Sequence, residues 1–211
     1  MLNEFKNRVV AASFALTFFG SGLLHGTGVF IEGANGFLSQ DYLAPTEFNL
    51  TEGEFLIAGA LEGGLAGGGS EQKFFTLNVQ EGYEITELNV LSYFSDRPDN
   101  SSFLGLQPGS TLSNSPAFIA DESNQVPINN ILFSNALVDA DFSVLSILNV
   151  GDPIGGGDTL GTGNYAFWLN ETTEGSEWEL QFVVEAVPEP SSVSLLALAS
   201  SFILLRRKRI Q

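Results

Sequence analysis

Apolar and polar residues alternate near the C-terminal end of the chain. The apolar positions of this stretch are Trp178, Leu180, Phe182 and Val184, and the positions between them are mainly Glu and Gln. A period of two residues places all four on one face of a β-strand, whereas a helix would scatter them around its axis. The pattern therefore predicts a half-buried antiparallel strand at residues 177–186.

Short apolar segments of the same kind recur along the middle of the chain, separated by stretches rich in Gly, Asn and Ser. The candidate strands cover residues 54–61, 73–79, 84–94, 102–106, 117–120, 130–138, 142–150, 164–170 and 177–186. Short strands joined by turns are typical of a β-sandwich or jelly roll. We therefore expect an all-β single domain, flanked by an N-terminal signal helix and a short C-terminal transmembrane helix.

The basic residues are confined almost entirely to the two ends of the chain. The 211 residues include 25 Asp and Glu against 8 Lys and Arg, and only Lys73 and Arg97 lie between residues 9 and 205. That interval holds 24 acidic residues, so its formal net charge is −22. A polyanionic body repels phosphate backbones and anionic headgroups. We therefore expect the body neither to bind nucleic acid nor to dock peripherally on a membrane.

The N-terminal segment has the composition of a secretory signal peptide. Lys6 and Arg8 precede an apolar run of 11 residues, and small residues follow it. A positive start, a short apolar run and small residues are the features that signal peptidase recognises. Cleavage after Gly22, after Gly28 or near Ala34 fits this pattern. An uncleaved anchor or a buried helix is the alternative.

The C-terminal segment combines an apolar run with a basic end. Residues 191–205 are 15 uncharged residues, and as a helix they would reach about 22 Å, less than a hydrocarbon core of roughly 30 Å. The basic end consists of Arg206, Arg207, Lys208 and Arg209. Clustered basic residues hold a chain end in the cytoplasm, so these four would stop and orient the segment. Because the N-terminal basic residues are held on the same side, the body must lie across the membrane.

A proline motif stands immediately before this apolar run, at Val187, Pro188, Glu189 and Pro190. Two prolines within three residues fix the backbone and remove two N–H donors, so neither a helix nor a strand continues through them. An extended Pro-Glu-Pro motif, an apolar span and a basic end, in this order, resemble the bacterial PEP-CTERM sorting tail. The resemblance covers residues 187–211. An ordinary C-terminal anchor with a proline linker is the alternative.

The resemblance to the PEP-CTERM tail implies a delivery route. An exosortase, which is an integral membrane enzyme of transpeptidase type, would recognise the tail, cleave near the motif and pass the protein to the cell envelope or the outside. Signal peptidase would be the other processing partner, and the membrane contact through the tail would be transient. Proteins with such tails tend to occur in bacteria that make exopolysaccharide, so an association with exopolysaccharide is implied as well.

Part of the body also resembles a known domain. Residues 74–93 and 158–184, which include the sequence Gly163-Asn164-Tyr165, are similar to the bacterial pre-peptidase C-terminal type of β-sandwich. This resemblance supports the predicted fold class. It implies a domain that accompanies secreted enzymes or surface proteins without being catalytic, and some domains of this type bind calcium.

Composition excludes several kinds of catalysis. The chain has no Cys and one His, so disulfides, thiolate metal sites, cysteine nucleophiles and multi-histidine metal centres are ruled out. The single imidazole, His25, lies beside the expected cleavage site, which leaves a Ser-His-Asp triad without a base. The Gly-rich stretches at 63–69 and 155–163 lack the Lys-Ser/Thr of a phosphate-binding loop. Paired carboxylates could hydrolyse glycosides, but the sequence identifies no pair.

Two kinds of ligand remain. Asp139 and Asp141 are two residues apart and Asp158 follows three glycines, and oxygen ligands on loops suit calcium at extracellular concentrations. These acidic residues would otherwise serve only solubility, in a saline medium for example. Trp168 shares a strand face with Ala166, opposite the other aromatic residues of that strand, which makes it the candidate for an exposed ring that stacks on carbohydrate. Packing in the core is the alternative for this ring.

The sequence therefore divides into a signal peptide at residues 1–28, a β-sandwich domain at 29–186 and a sorting tail at 187–211. We expect an exported, non-enzymatic surface or matrix protein that uses no cofactor, with calcium as the one candidate ligand ion. The alternative function is a secreted carbohydrate-binding module, or a glycosidase of the carboxylate type, that carries the same sorting tail.

Overall fold

A computed structural model of the protein describes residues 28–62, 71–95, 102–112, 129–138, 140–148, 158–171 and 175–187. The strands in these residues are β1 (Gly28–Ile31), β2 (Thr46–Leu50), β3 (Gly53–Leu61), β4 (Glu71–Val79), β5 (Tyr83–Ser95), β6 (Ser102–Pro108), β7 (Asn129–Phe133), β8 (Gly163–Glu171) and β9 (Ser176–Ala186). A 3-10 turn covers Asn135–Leu137, and a single helical turn, α1, covers Leu145–Leu148. The predicted all-β class is confirmed.

The strands form two sheets. Sheet A has the order β1-β3-β9-β5, and sheet B has the order β2-β4-β8-β6-β7. The edge strands β1 and β2 pair in parallel with β3 and β4, and the other neighbouring strands are antiparallel. Strands β1 and β3 belong to sheet A, and strands β2 and β4 belong to sheet B. The chain therefore crosses from one sheet to the other at each connection between β1 and β4.

The two sheets pack face to face over one apolar core. The Phe182 ring of sheet A lies 5.4 Å from the Phe167 ring and 6.2 Å from the Phe75 ring of sheet B, centroid to centroid. Edge-to-face geometry of this kind stabilises aromatic pairs beyond the area they bury. The four apolar residues that the alternation of β9 assigned to one face are all buried, as predicted.

Both ends of the described body lie at the same end of sheet A. Gly28 at the start of β1 pairs with Phe55, and Phe55 pairs with Phe182 near the end of β9. Gly28 and the end of β9 are therefore separated across the sheet by one intervening strand, which corresponds to about 10 Å. The chain enters and leaves sheet A at this end.

Several sequence predictions need correction. A strand was expected at 142–150, but the described part of this segment, residues 142–148, forms a loop and α1. Val144, Leu145 and Leu148 turn their apolar side chains into the core from one side of a helical turn. The strand expected at 130–138 ends at Phe133 and is followed by the 3-10 turn. Strands β1 and β2 were not predicted. The expected strand at 117–120 and the flanking signal and transmembrane helices lie outside the described residues.

Candidate functional site

An open groove lies beside β5, one of the two edge strands of sheet A. Its volume is about 470 Å³. The lining mixes acidic, amide and apolar side chains and consists of Glu87, Asn89, Val90, Leu91, Leu137, Ala140, Asp141, Phe142 and Ser143. A volume in this range accommodates a small molecule or a few units of a chain polymer.

The far wall of the groove is fixed to β5 by main-chain and side-chain hydrogen bonds. The backbone N–H of Val144 donates to the Leu88 carbonyl at 2.8 Å, and the Leu88 N–H donates to Ser143 Oγ at 3.0 Å. The same Ser143 oxygen accepts the N–H of Leu145 at 3.3 Å and so caps the start of α1. Val144 and Leu145 are buried, whereas Phe142, which precedes Ser143, lies at the surface and is 47% exposed.

The groove presents apolar surface next to oxygen acceptors. Phe142 and Leu91 are 47% and 39% exposed, and Glu87 and Asp141 contribute carboxylates to the same lining. The amide of Asn89 donates to Glu87 Oε2 at 3.0 Å, which orients that carboxylate. An aromatic ring packs against the C–H face of a sugar, while carboxylate and amide groups bond its hydroxyls. The lining of the groove therefore combines partly exposed apolar side chains with carboxylate and amide groups.

Sequence reasoning singled out Asp141, as a candidate calcium ligand, but not Phe142, Glu87 or Asn89. Phe142 was assigned to a strand, so its exposure could not be inferred. Glu87 and Asn89 line the groove only because a segment distant in sequence packs against β5, and no local sequence pattern predicts that contact. The signal that was available is the adjacent Asp141-Phe142 pair, which combines an acid with an aromatic ring.

Two of the three predicted calcium ligands, Asp141 and Asp158, lie among the described residues. Asp141 lines the groove, whereas Asp158 lies next to the segment in which Leu160 pairs with Ile85. Asp139 lies outside the described residues. Within those residues no group of three or more His, Cys, Asp or Glu side chains is placed to hold a metal ion. Calcium binding stays a prediction.

The prediction of an exposed ring at Trp168 is wrong. The face assignment was right, because Trp168 and Ala166 belong to one cluster on the outer side of sheet B. The side chain is nevertheless only 2% exposed, and its ring stacks on Phe103 with centroids 6.2 Å apart. A ring in this position offers no free face to a sugar.

The outer side of sheet B is covered by two chain segments. Ser39 forms a bridge with Phe74, and the Tyr42 ring packs 6.4 Å from the Phe74 ring. The N–H of Leu112 donates to the Tyr42 carbonyl at 3.2 Å, which joins the second segment to the first. This cover explains why an outward-facing tryptophan is buried. Among the described residues its indole N–H has no hydrogen-bond partner, and burying such a group costs roughly 1–3 kcal/mol.

Lys73 is the one basic side chain within the described residues, and it is buried. Its Nζ lies 2.8 Å from Glu71 Oε1 and 3.3 Å from Glu32 Oε1. Burial alone would lower the pKa of Lys73, but the hydrogen bond to Glu71 and the charge of Glu32 outweigh it and raise the pKa above its ordinary value. Because the Lys73 ammonium group is buried and paired with Glu32 and Glu71, the charged groups on the described surface are all acidic.

A second buried polar cluster lies between β5, β6, β8 and β9. Ser102 Oγ donates to Glu171 Oε2 at 2.7 Å and lies 3.1 Å from both Tyr93 Oη and Ser176 Oγ. Burial raises the pKa of Tyr93, and the charge of Glu171 raises it further. Ser102 and Glu171 have no exposed surface, so the cluster ties strands together and presents no nucleophile to a substrate.

Of the predicted sorting motif, only Val187 lies within the described residues. Val187 is 42% exposed, and its N–H donates to the Gly82 carbonyl at 2.8 Å. Pro188, Glu189, Pro190 and the basic residues 206–209 lie outside the described residues. In the part of the chain that the structure describes, no helix has the length and apolar character needed to cross a membrane.

Comparisons with known proteins give no family. No protein-family model matches the chain, and no curated protein matches its sequence significantly. The function has to be inferred from the chain itself.

Proposed function

We propose that the protein is an exported, non-enzymatic component of the cell surface or extracellular matrix, delivered by an N-terminal signal peptide and a C-terminal sorting tail. Exosortase is the proposed processing enzyme, and exopolysaccharide is the proposed neighbour of the mature protein. The body is proposed to be a single β-sandwich or jelly-roll domain. Its role in delivery is passive, because the information for sorting lies in residues 187–211.

The position of the two chain ends is the observation that supports this proposal best. A protein held at the membrane by both a leader and a tail needs both ends of its folded body on the membrane side. Gly28 pairs with Phe55, and Phe55 pairs with Phe182, so Gly28 and Phe182 lie at the same height in sheet A. From Phe182, β9 continues towards Val187 at the same end of the sheet. A body with this topology can fold while the N-terminal leader and the C-terminal tail both remain in the bilayer.

Each part of the proposed tail has a separate physical role. The two prolines keep Glu189 in an extended peptide that an enzyme can grip. The apolar run holds this peptide at the membrane, and the basic residues 206–209 prevent the end from following the body across. The negative body adds to this, since it is repelled by anionic headgroups and leaves the linker accessible.

A Glu189→Ala variant tests the sorting role in a host that supplies exosortase. We expect the wild-type protein to lose its tail and leave the membrane fraction, and the variant to remain there with residues 206–209 attached. Glu185→Ala is the matched control, since it removes the same charge from an exposed position at the end of β9. Processing of the Glu189 variant at the wild-type rate would refute the proposal.

Carbohydrate binding by the body is the second candidate function, and the groove beside β5 favours it. The half-exposed Phe142 ring and the Glu87 and Asp141 carboxylates occupy one lining, which is the combination of surfaces that a sugar chain requires. The carboxylates could alternatively serve a glycosidase.

Phe142→Ala tests this second function. Binding of soluble glucans and amino-sugar oligomers to the full-length chain, held in a zwitterionic detergent, should weaken by roughly tenfold, or about 1.4 kcal/mol. Phe94→Ala is the control, because Phe94 is 61% exposed on β5 but does not line the groove. Equal losses in both variants, or no binding by the wild type, would remove the groove from consideration.

A further inference from the structure

We infer that signal peptidase cuts the chain before Gly28, so that residues 28–34 belong to the mature protein. Of the three cleavage positions that the sequence allows, this retains the one after Gly22 and rejects those after Gly28 and near Ala34. The inference rests on the proposed export of the protein for its biological meaning. Its structural basis is the way in which β1 and Glu32 are built into the body.

Strand β1 is an integral part of sheet A. All four of its residues pair in register with β3, from Gly28 opposite Phe55 to Ile31 opposite Ala58. A Cβ atom at Gly28 would overlap the Phe55 ring, so the close approach of these strands requires glycine. The Phe30 ring packs 5.0 Å from the Phe48 ring of sheet B. Removal of β1 would expose the Phe48 and Phe55 rings and leave β3 with an unpaired edge.

Glu32 ties β1 to three other parts of the chain. Its carboxylate accepts the N–H of Leu38 at 2.8 Å and that of Ala60 at 3.3 Å. The same carboxylate lies 3.3 Å from Lys73 Nζ, and both side chains are 7% exposed. A buried ammonium that loses a partner becomes an undercompensated charge, which is one of the more costly changes in a core.

Cleavage near Ala34 would discard both β1 and Glu32. Lys73 would then keep Glu71 as its one acidic partner within the described residues, and the N–H groups of Leu38 and Ala60 would lose their acceptor. Cleavage after Gly28 would fall inside a paired strand, where a peptidase cannot grip an extended substrate. A cut after Gly22 leaves a five-residue spacer, and such a spacer can reach up to about 17 Å between the enzyme and the body.

A Glu32→Gln variant, analysed together with the N-terminus of the recovered protein, separates these positions. The first residue distinguishes a start at or before Gly28 from a start at Val29, and the effect of the substitution shows whether residue 32 is retained. The full chain is produced in a host with both processing enzymes, and the recovered protein is analysed by N-terminal peptide mapping and thermal unfolding. We expect the first peptide to begin at or before Gly28, the recovered variant to contain the substituted side chain, and its melting temperature to fall by several degrees. Glu47→Gln is the control, since Glu47 is exposed on β2 and its loss should leave the melting temperature unchanged.

The contradicting result is specific. A recovered wild-type protein that begins at Val29 or later would overturn the inference and leave the proposed export intact. If cleavage falls near Ala34, the recovered Glu32→Gln variant would in addition be identical to the wild type in mass and melting temperature. A leader that is never removed would instead contradict the proposed export. In that case the lower melting temperature of the Glu32→Gln variant would still assign residues 28–32 to the folded body.

Discussion

Gly59 on β3 lies against two residues that the fold needs in fixed positions. A Cβ atom at this position would overlap the Glu32 carboxylate and come within 3.0 Å of Trp178 Cζ2. Neither neighbour can move freely, because Glu32 is held by Lys73 and Trp178 is buried in the core. We therefore expect Gly59→Ala to lower the free energy of unfolding by roughly 1–3 kcal/mol, measured by urea denaturation.

Gly161 provides the matched control for this substitution. A Cβ atom there would meet no other atom within 4 Å, so Gly161→Ala should be neutral or slightly stabilising through the unfolded chain. If both variants unfolded at the same urea concentration, the close packing around Glu32 would be contradicted.

Three buried groups should make the free energy of unfolding fall at alkaline pH. Burial raises the pKa of Tyr165 and, with the charge of Glu171, that of Tyr93, and the acidic partners of Lys73 raise its pKa despite burial. The ordinary values are 10.0 for Tyr and 10.5 for Lys. Since the folded state holds these protons more tightly, their contribution to stability is complete below about pH 10 and is lost as the pH rises through the folded pKa values.

Denaturation at a series of pH values measures this effect. The free energy of unfolding contributed by these groups should be constant between about pH 8 and about pH 9 and should fall above about pH 10. Tyr165→Phe should reduce the steepness of the fall, because one of the three groups no longer titrates. Stability that increased above about pH 10 would contradict the assigned directions.

Single residues also show where sequence reasoning stops. The alternation of β8 correctly separated Trp168 from Tyr165 and Phe167, because strand geometry fixes the face of each side chain. It could not show that this outer face is covered by Tyr42 and Leu112, since the cover comes from segments distant in sequence. The alternation specifies direction, and burial depends on what lies in that direction.

At the scale of elements, the long strands were predictable, whereas the short parallel edge strands β1 and β2 were not. Strands β3, β4, β5, β8 and β9 have apolar patterns of nine residues or more, so their positions were predicted to within a few residues. Strands β1 and β2 have four and five residues and lie in parallel edge pairs, where a short apolar run is no different from a loop or a leader end. The run around α1 was ambiguous for the same reason, because short apolar runs suit either a strand or a buried helical turn.

The element α1 depends on one hydroxyl. Ser143 Oγ accepts N–H groups from Leu145 and from Leu88 on β5, so it both caps the turn and fixes the groove wall. We expect Ser143→Ala to lower the free energy of unfolding by about 1 kcal/mol. Hydrogen exchange at the Leu88 amide should accelerate.

Ser134→Ala is the comparison for Ser143→Ala. Ser134 Oγ accepts one N–H, from Ala136 at 3.3 Å, in an exposed 3-10 turn, so its loss should cost less. Equal effects of the two substitutions would indicate that Ser143 does not connect α1 to β5.

At the scale of the whole molecule, charge and topology indicate the same orientation. The body carries the acidic residues and the ends carry most of the basic ones, while the described chain ends meet at one end of sheet A. The sequence predicted the charge separation and the all-β class. The common location of the two ends follows from strand order and register, which no linear pattern reveals.

The mass of the intact protein recovered from outside the cells tests the central claim most directly. We predict a species that contains the whole body from Gly28 to Val187 and lacks the basic residues 206–209. Recovery of the complete chain from the cytosol, with its leader and its basic end both retained, would contradict export by this route.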